Sequence, residues 1–407
     1  MGWGEGFPEP TGYGYVVQAA WDWRVAGLFQ IGTSKIGSTD VITADFSHNA
    51  YDDIEPYVKK ITIKRGRSSA LGAMEMGTAT LVLKDPTGLF NPENSKSALA
   101  GKLVPMKAIR IIGNYVWPYG LFFGFIRKIE HDPRPNVQET VIECVDLFSR
   151  LYRSRGVIGE VNNYTVGQIW ELMLDEIKWV GSNWLDLDAD GSIIPAFSTD
   201  GSLSLLGYGA NLQEIDLGLF FIAGDGKATY RSRASRWRKS TPVATLDDDI
   251  IDTIKPGISL EGIINIQTVT KTGGTPQQVV DWDSRHQYGD CEGDPIESEY
   301  LASDTAAASL ATFMVVMAKS PINPVRRVGI VNADGDRINQ ILQREIGDLV
   351  TVSETRTGTS VEGIIESIEH IIVPGIEHRV NYGIRRKLKT FITIGASQIG
   401  STDIVGY

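Results

Sequence analysis

The chain contains Val58-Lys59-Lys60-Ile61-Thr62-Ile63-Lys64 and, further on, Ala79-Thr80-Leu81-Val82-Leu83-Lys84, and these two segments set its fold class. Their apolar residues alternate with polar ones or run together between glycines, a pattern typical of β-strands. Further strand-like runs are found at 108–112, 121–126 and 139–145. Turn sequences separate them at 85–88 and 114–120. Short strands at this spacing predict a β-barrel or sandwich over residues 1–155.

The middle of the chain changes to a helical period. Thr165 has the chemistry of an N-cap, and we expect a helix after it with an apolar face. This face consists of Val166, Ile169, Trp170, Met173, Leu174 and Ile177. A second helix is expected near 203–217, and the Gly224-Asp225-Gly226 turn indicates a hairpin. Together these elements predict an α+β insert at 156–240.

Residues 241–407 return to strand patterns. The expected strands are 262–270, 348–354, 363–370 and 378–385. Two helices interrupt them, one at 305–319 with Asp304 as its cap, and one at 337–346 ended by Gly347. We therefore predict a mainly β protein in which two β-barrel-like domains, 1–155 and 241–407, flank the smaller insert.

A ten-residue phrase occurs near each end of the chain, at 31–40 and at 394–403, and we call these two copies the repeated phrase. The positions that define it are Ile31, Gly32, Ile36, Gly37 and Asp40, and again Ile394, Gly395, Ile399, Gly400 and Asp403. Its glycines permit bends, and its Ser-Thr-Asp ending can close a turn. We interpret it as a peripheral strand and turn that docks into equivalent surfaces of a quasi-symmetric ring. A plain sheet-edge turn used twice is the alternative. The first interpretation predicts that the copies superpose and make similar contacts.

The net charge of −11 disfavours a general nucleic-acid binder, which needs cations to replace phosphate counterions. It is compatible with a surface that lets DNA pass without binding it. The two cysteines form no CxxC pair, and Cys144 has the surroundings of a buried strand residue. The N-terminus lacks the features of a signal peptide, and no run of 18 apolar residues occurs. We expect no membrane span and synthesis in a cytoplasm.

Asp186, Asp188 and Asp190 precede Gly191 in the pattern of the first half of a calcium loop. The acid that should follow six residues after this glycine is replaced by Phe197. We therefore interpret the segment as an acidic turn, and an ion site is the alternative.

Other polar segments also lack a catalytic pattern. Residues 281–292 gather histidine, cysteine and carboxylates, but their polarity and glycines indicate a surface loop. The basic cluster of residues 231–239 is expected to pair with acidic neighbours or a partner subunit rather than with nucleic acid. We predict that the protein is not an enzyme and uses no cofactor.

Six further segments follow one another along the chain in a characteristic order. They are Ile63-Lys64-Arg65-Gly66-Arg67, Gly77–Leu83, Asp85–Asn94, 143–151, 346–352 and 361–370. In these segments and their order the chain resembles, over nearly its whole length, minor tail proteins of long-tailed, siphovirus-like bacteriophages, and most of all the baseplate hub at the tail tip. The resemblance implies two related β-barrel tube domains separated by an insert. It further implies a homotrimer that presents six barrels to the hexameric tail tube.

The same resemblance implies where the protein works and with what. Its place is the virion, at the phage tail tip. Its partners are copies of itself, the tail tube or distal tail protein, the tape measure and tip or fibre proteins, with DNA passing unbound. Two alternatives stay open: a hexameric distal tail ring protein, and a tail protein that binds or degrades cell-wall carbohydrate. The two β halves favour the hub, and the scattered tryptophans with no placed pair of carboxylates disfavour the carbohydrate alternative.

Overall fold

The computed structural model describes residues 13–21, 51–67, 75–134, 137–179, 183–255, 262–321, 327–356 and 358–387. The protein is mainly β with additional helices, as the sequence predicts. The repeated phrase lies outside the described residues in both copies, so its superposition stays a prediction.

The N-terminal strands confirm the predicted pattern. They are β1 Gly14–Ala20, β2 Asp52–Asp53, β3 Val58–Gly66, β4 Glu75–Lys84, β5 Ala108–Tyr115, β6 Trp117–Asp132 and β7 Glu139–Val145. A short 3₁₀ turn at Glu55–Tyr57 leads into β3. The turn predicted at 114–120 is wrong in extent, because β5 and β6 stay paired up to Tyr115 and Trp117. The reversal is made at Val116, whose φ of 59° is left-handed.

The insert contains the predicted helices and hairpin. Helix α1 Phe148–Arg153 precedes the insert, whose helices are α2 Val166–Glu176, α3 Leu205–Asp216 and α4 Arg233–Arg238. Its strands are β8 Val161–Thr165, β9 Leu185–Leu187, β10 Ile193–Phe197, β11 Leu219–Ile222 and β12 Ala228–Arg231. Thr165 caps α2 in a capping box with Gln168, which satisfies two backbone donors at the start of the helix. The predicted apolar face of α2 is buried.

The C-terminal part holds a second α+β unit that the sequence analysis does not foresee. The strands are β13 Ala244–Leu246, β14 Thr253–Lys255, β15 Ile266–Lys271, β16 Gln277–Val280, β17 Ile296–Ser298, β18 Arg327–Val331, β19 Leu349–Glu354, β20 Thr359–Val373 and β21 Glu377–Arg386. The helices are α5 Trp282–Tyr288, α6 Asp304–Ala318 and α7 Gly335–Gln343. Strands β15 to β17 form a sheet of their own, on which α6 packs. This unit separates β14 from β18, which pair with each other.

Three local predictions in this part are corrected. Ser303, not Asp304, caps α6, because its side chain accepts the Ala306 N–H. Helix α7 begins two residues earlier than expected, because the Asp334 carboxylate caps it, and it ends at Gln343. The expected loop at 281–292 contains α5, which Asp281 caps.

One large sheet joins the two ends of the chain. It has 13 strands, and β3 pairs with β20 in antiparallel register, with Ile63 opposite His370. The two β segments are therefore continuous through backbone hydrogen bonds, whereas the predicted boundaries at 155 and 240 stay predictions. Gly66 lies where β3 meets β20. Its φ is 108°, and a Cβ there would overlap the Glu366 carbonyl oxygen, so the close approach requires glycine.

The sheet curls, but backbone hydrogen bonds do not join its two ends into a barrel. Among the described residues its strand order is open, from β14 at one end to β2 at the other. Side chains nevertheless bring distant strands together, because the Tyr13 hydroxyl before β1 is hydrogen-bonded to Nδ1 of His378 in β21. The interior between them holds a continuous apolar core that also extends into the insert. In the part of the chain that the structure describes, no helix is long and apolar enough to span a membrane.

Candidate functional site

The N-terminal strands, the insert and the C-terminal strands meet at one buried charge cluster, which we call the junction. The Glu366 carboxylate of β20 accepts hydrogen bonds from Nε of Arg67 at 2.7 Å and from Nη2 of Arg236 at 2.6 Å. Arg385 of β21 lies 4.0 Å away. Arg67 follows β3 and Arg236 belongs to α4, so one carboxylate binds side chains from all three parts of the chain. All four side chains are buried.

The charge of the junction is set by competition between burial and ion pairing. Burial alone would raise the pKa of Glu366, but Arg67, Arg236 and Arg385 outweigh it and lower the pKa to about 2. Burial and the neighbouring arginines lower the pKa of Arg385 to about 9, against the opposing effect of Glu366. The carboxylate is therefore ionised at neutral pH and holds the buried guanidinium groups together.

A second contact between the three parts lies beside the junction. Arg65 of β3 donates from Nη1 to Oε1 of Glu345 at 2.7 Å and to the Ile222 carbonyl oxygen of β11 at 3.2 Å. The other oxygen of Glu345 accepts the backbone N–H of Gly224 at 2.9 Å. Glu345 therefore connects a strand of the N-terminal segment with the insert hairpin.

An open cleft of about 430 Å³ borders these contacts. Side chains of both signs line it, among them Arg65, Arg231, Lys239, Glu345 and Asp348. Asp186 of this lining is paired with Arg231, and Lys239 donates to the Gly347 carbonyl oxygen at 2.9 Å. The charged side chains of the cleft therefore form ion pairs and hydrogen bonds with other groups of the chain, as in an interface between chain segments.

A buried histidine pair lies on the same hairpin as Glu366. Nδ1 of His370 and Nε2 of His378 are 2.9 Å apart, and the Tyr15 hydroxyl donates to Tyr13 at 2.5 Å. Burial lowers the pKa of His378 to about 3. Burial, His378 and Arg65 lower the pKa of His370 well below its usual range. Both rings are therefore neutral at pH 7, so one of them donates to the other.

The structure places the three aspartates of the alternative ion site in hydrogen bonds with Arg231 and Ser232. Arg231 donates to Asp186 and, at 3.2 Å, to Asp188. The Ser232 hydroxyl donates to Asp190 at 2.7 Å. These bonds fit the interpretation as an acidic turn. Within the described ranges no group of three or more histidine, cysteine, aspartate or glutamate side chains converges as a metal site would.

The remaining candidate residues of the sequence analysis form ion pairs, cap a helix or lie in the core. Arg231 and Arg236 of the basic cluster pair with acids, which confirms the interpretation as ion pairs for these two residues. Asp281 caps α5 and binds Lys319 at 2.9 Å. Cys144 is buried as predicted, and burial raises the pKa of its thiol far above the usual range.

Sequence reasoning missed the junction, although one signal for it is present. Glu366 lies among Ile364, Ile365 and Ile368, so a carboxylate interrupts a run of isoleucines in β20. Such a residue is stable in a core only when it is paired. The two arginines that donate hydrogen bonds to it, Arg67 and Arg236, lie 299 and 130 residues away along the chain, which sequence patterns do not reveal.

Comparisons with known proteins give fold similarity without sequence similarity. No protein-family model and no curated protein matches the sequence. The structure is similar to the 43 kDa tail protein of prophage MuSo2 from Shewanella oneidensis, with a TM-score of 0.57 and 15% identity over 92% of this chain and 97% of that one. It is also similar to a tail protein from Neisseria meningitidis MC58, with a TM-score of 0.58 and 12% identity over 92% and 96% of the two chains.

The chain therefore has the fold of phage tail proteins. The resemblance found in the sequence is confirmed at the level of the fold, and the similarity includes the insert as well as both β segments.

Proposed function

We propose that this protein is a structural subunit of a bacteriophage tail tip, most similar to a trimeric baseplate hub that joins the tail tube to the tip and lines the DNA path. The observation that carries the proposal is the pairing of β3 with β20, which fuses two β segments into one curled sheet. A trimer of such chains would present six β segments to a hexameric tube. Whole-chain fold similarity to two tail proteins supports it.

The exposed face of this sheet is suited to contact with a passing polyanion. Several of its bases are paired with acids on neighbouring strands, as Lys59 with Glu139 and Lys64 with Glu369 at 3.4 Å. Arg327 shares Glu369 with Lys64. Paired surface cations have little free charge with which to displace phosphate counterions, so DNA would pass without being held.

The work of the protein in this proposal is assembly, without a chemical reaction. The junction and the cleft bind segments of the chain to each other through ion pairs such as Arg67–Glu366, Arg236–Glu366 and Arg65–Glu345. Its place would be the virion, with the tail tube or distal tail protein above it, the tape measure within, and tip or fibre proteins below. The repeated phrase at 31–40 and 394–403 would dock two peripheral segments into equivalent surfaces of the ring.

Native mass spectrometry and electron-microscopy class averages of the purified protein test this function. We expect trimers with three-fold symmetry, alone or on addition of tail tube protein. A hexameric ring would instead indicate a distal tail protein. A monomer at every concentration, with no binding to tail components, contradicts both. Clearing of cell wall in a zymogram would favour the carbohydrate-degrading alternative.

A further inference from the structure

The hairpin of β5 and β6 extends beyond the end of β7, and β1 pairs with its β5 side as far as Asn114. Strand β7 ends at Val145, opposite Phe125, so residues 117–124 of β6 have β5 as their sheet partner. At about 3.3 Å per residue, this part of the hairpin continues for roughly 25 Å past the end of β7. Its end, Tyr115–Tyr119, has the sequence Tyr-Val-Trp-Pro-Tyr, and we call it the aromatic tip.

Val116 and Trp117 are the apolar residues of the aromatic tip that lie uncovered. Val116 is 60% exposed and Trp117 is 68% exposed. Among the described residues no ring or cation stacks on Trp117. Trp282, by contrast, is 59% exposed but carries the Arg285 guanidinium 5.0 Å above its ring. An uncovered tryptophan at a hairpin turn, beside a second exposed apolar side chain, is an arrangement found at protein-binding surfaces.

The turn at the aromatic tip has an unfavourable backbone. Val116 has a φ of 59°, a left-handed conformation that β-branched residues rarely adopt and that glycine or asparagine would adopt easily. Strain of this kind concentrates at functional sites. The turn therefore does not explain why position 116 holds valine. The side chain explains it better, because it adds apolar surface beside Trp117.

The hairpin is held rigidly. A Cβ on Gly120 would stand 2.7 Å from Cα of Asp225, so the insert hairpin lies directly against β6. Leu342 of α7 fills the space at Gly113, and Gln343 donates to the Tyr119 hydroxyl at 3.2 Å. A group that is already ordered loses little conformational entropy on binding.

Acidic groups flank the aromatic tip. The Tyr115 hydroxyl lies against Gly335 at the start of α7, and the two residues that flank this glycine in the chain, Asp334 and Asp336, are exposed. Asp334 also forms the N-cap of this helix and is 54% exposed, 3.5 Å from Arg337. A surface that receives the tip must therefore offer an apolar pocket and basic residues around it.

We propose that the aromatic tip is an anchor that inserts into an apolar pocket with a basic rim on a different protein of the tail. Trp117 fills the pocket, Val116 and Tyr115 pack at its edge, and Asp334 and Asp336 face the basic rim. The proposal rests on the proposed function, because it places the partner in the tail. A second copy of this chain and a glycan are the alternatives that the test separates.

Photo-crosslinking in assembled tails tests the anchor. Benzoyl-phenylalanine replaces Trp117 in one variant and Trp282 in a matched control, and the tails are purified and irradiated. We expect a cross-link from position 117 to another tail protein, at an apolar segment with neighbouring lysines or arginines, and none from position 282. A cross-link to a second copy of this chain, to glycan or to nothing overturns the proposal.

A binding measurement with the cross-linked partner completes the test. Trp117→Ala should raise the Kd at least tenfold while Trp282→Ala leaves it unchanged, because the truncated anchor leaves the pocket empty. Equal affinities for the two variants would contradict the anchor. Absence of the wild-type chain from purified tails would contradict the proposed function itself, whereas its presence without a cross-link from position 117 contradicts the anchor alone.

Discussion

At the scale of single residues, Glu366 is the side chain on which the junction depends. Glu366→Gln keeps the shape but leaves buried arginines without their counter-charge, so we expect the free energy of unfolding to fall by about 3–5 kcal/mol. Glu369→Gln is the matched control on the same strand, where the partners Lys64 and Arg327 are exposed and the loss should be at most about 1 kcal/mol. Urea unfolding measures both. Equal losses would show that the junction is not stabilised by its charge.

The buried histidines predict how stability depends on pH. In the unfolded chain histidines take up protons near pH 6.5, whereas the pKa of His378 in the folded protein is about 3. Between these values the unfolded state binds more protons, so stability falls as pH falls. We expect His378→Asn to reduce the slope of unfolding free energy against pH, between pH 6 and 4, by up to about 1.4 kcal/mol per unit.

The control for this change is His286→Asn, because His286 is exposed on α5. Chemical unfolding at several pH values gives the slopes. If the two variants show the same slope as the wild type, the proton uptake that limits acid stability occurs elsewhere.

Val116 offers a test of backbone strain. Val116→Gly should raise the free energy of unfolding by about 1 kcal/mol, because glycine adopts a φ of 59° without a steric penalty. Val104→Gly is the control: Val104 is also exposed but does not have a positive φ, so glycine should cost about 0.5–1 kcal/mol there. Thermal unfolding compares the two. A loss of stability in both variants would contradict strain at the turn.

At the scale of elements, Gly120 sets the distance between two hairpins. Gly120→Ala forces β6 away from the insert hairpin, since the new Cβ would stand 2.7 Å from Asp225, and we expect a loss of about 1–3 kcal/mol. Gly14→Ala in β1 meets no atom within 4 Å and should be neutral or slightly stabilising. The denaturant concentrations at which half of each variant is unfolded measure the two effects on stability. A neutral Gly120→Ala would mean that the hairpins are not in tight contact.

The elements also show what sequence patterns reveal. The alternation of β3 and β4 and the apolar helix face after Thr165 are patterns of residues that are close together in the sequence. Both predictions are confirmed. The turn before Trp117 was misplaced because its apolar residues lack the usual glycine or asparagine. The second α+β unit was missed because its short strands resemble those of the surrounding sheet. The junction was missed because its charges come from distant segments.

At the scale of the whole molecule, the pairing of β3 with β20 predicts one cooperative unit. Hydrogen exchange of the intact chain should give the same opening free energy for amides in both strands, because neither can open without breaking the shared ladder. Amides of β16, in the separate small sheet, provide the comparison and should open with a different free energy. Exchange of β3 at a clearly lower free energy than β20 would instead indicate independent domains.

The same pairing has a consequence for synthesis. Thr62 pairs with Ile371, roughly 300 residues later, and ribosomes add about 5–20 residues per second. β3 therefore waits about 15–60 s on the nascent chain with one edge open. Open edges invite association with other chains, and lysines oppose it. Lys59, Lys60 and Lys64 are exposed on this strand. Before Lys59 and Lys64 form ion pairs in the finished sheet, the three lysines protect the growing polypeptide from aggregation.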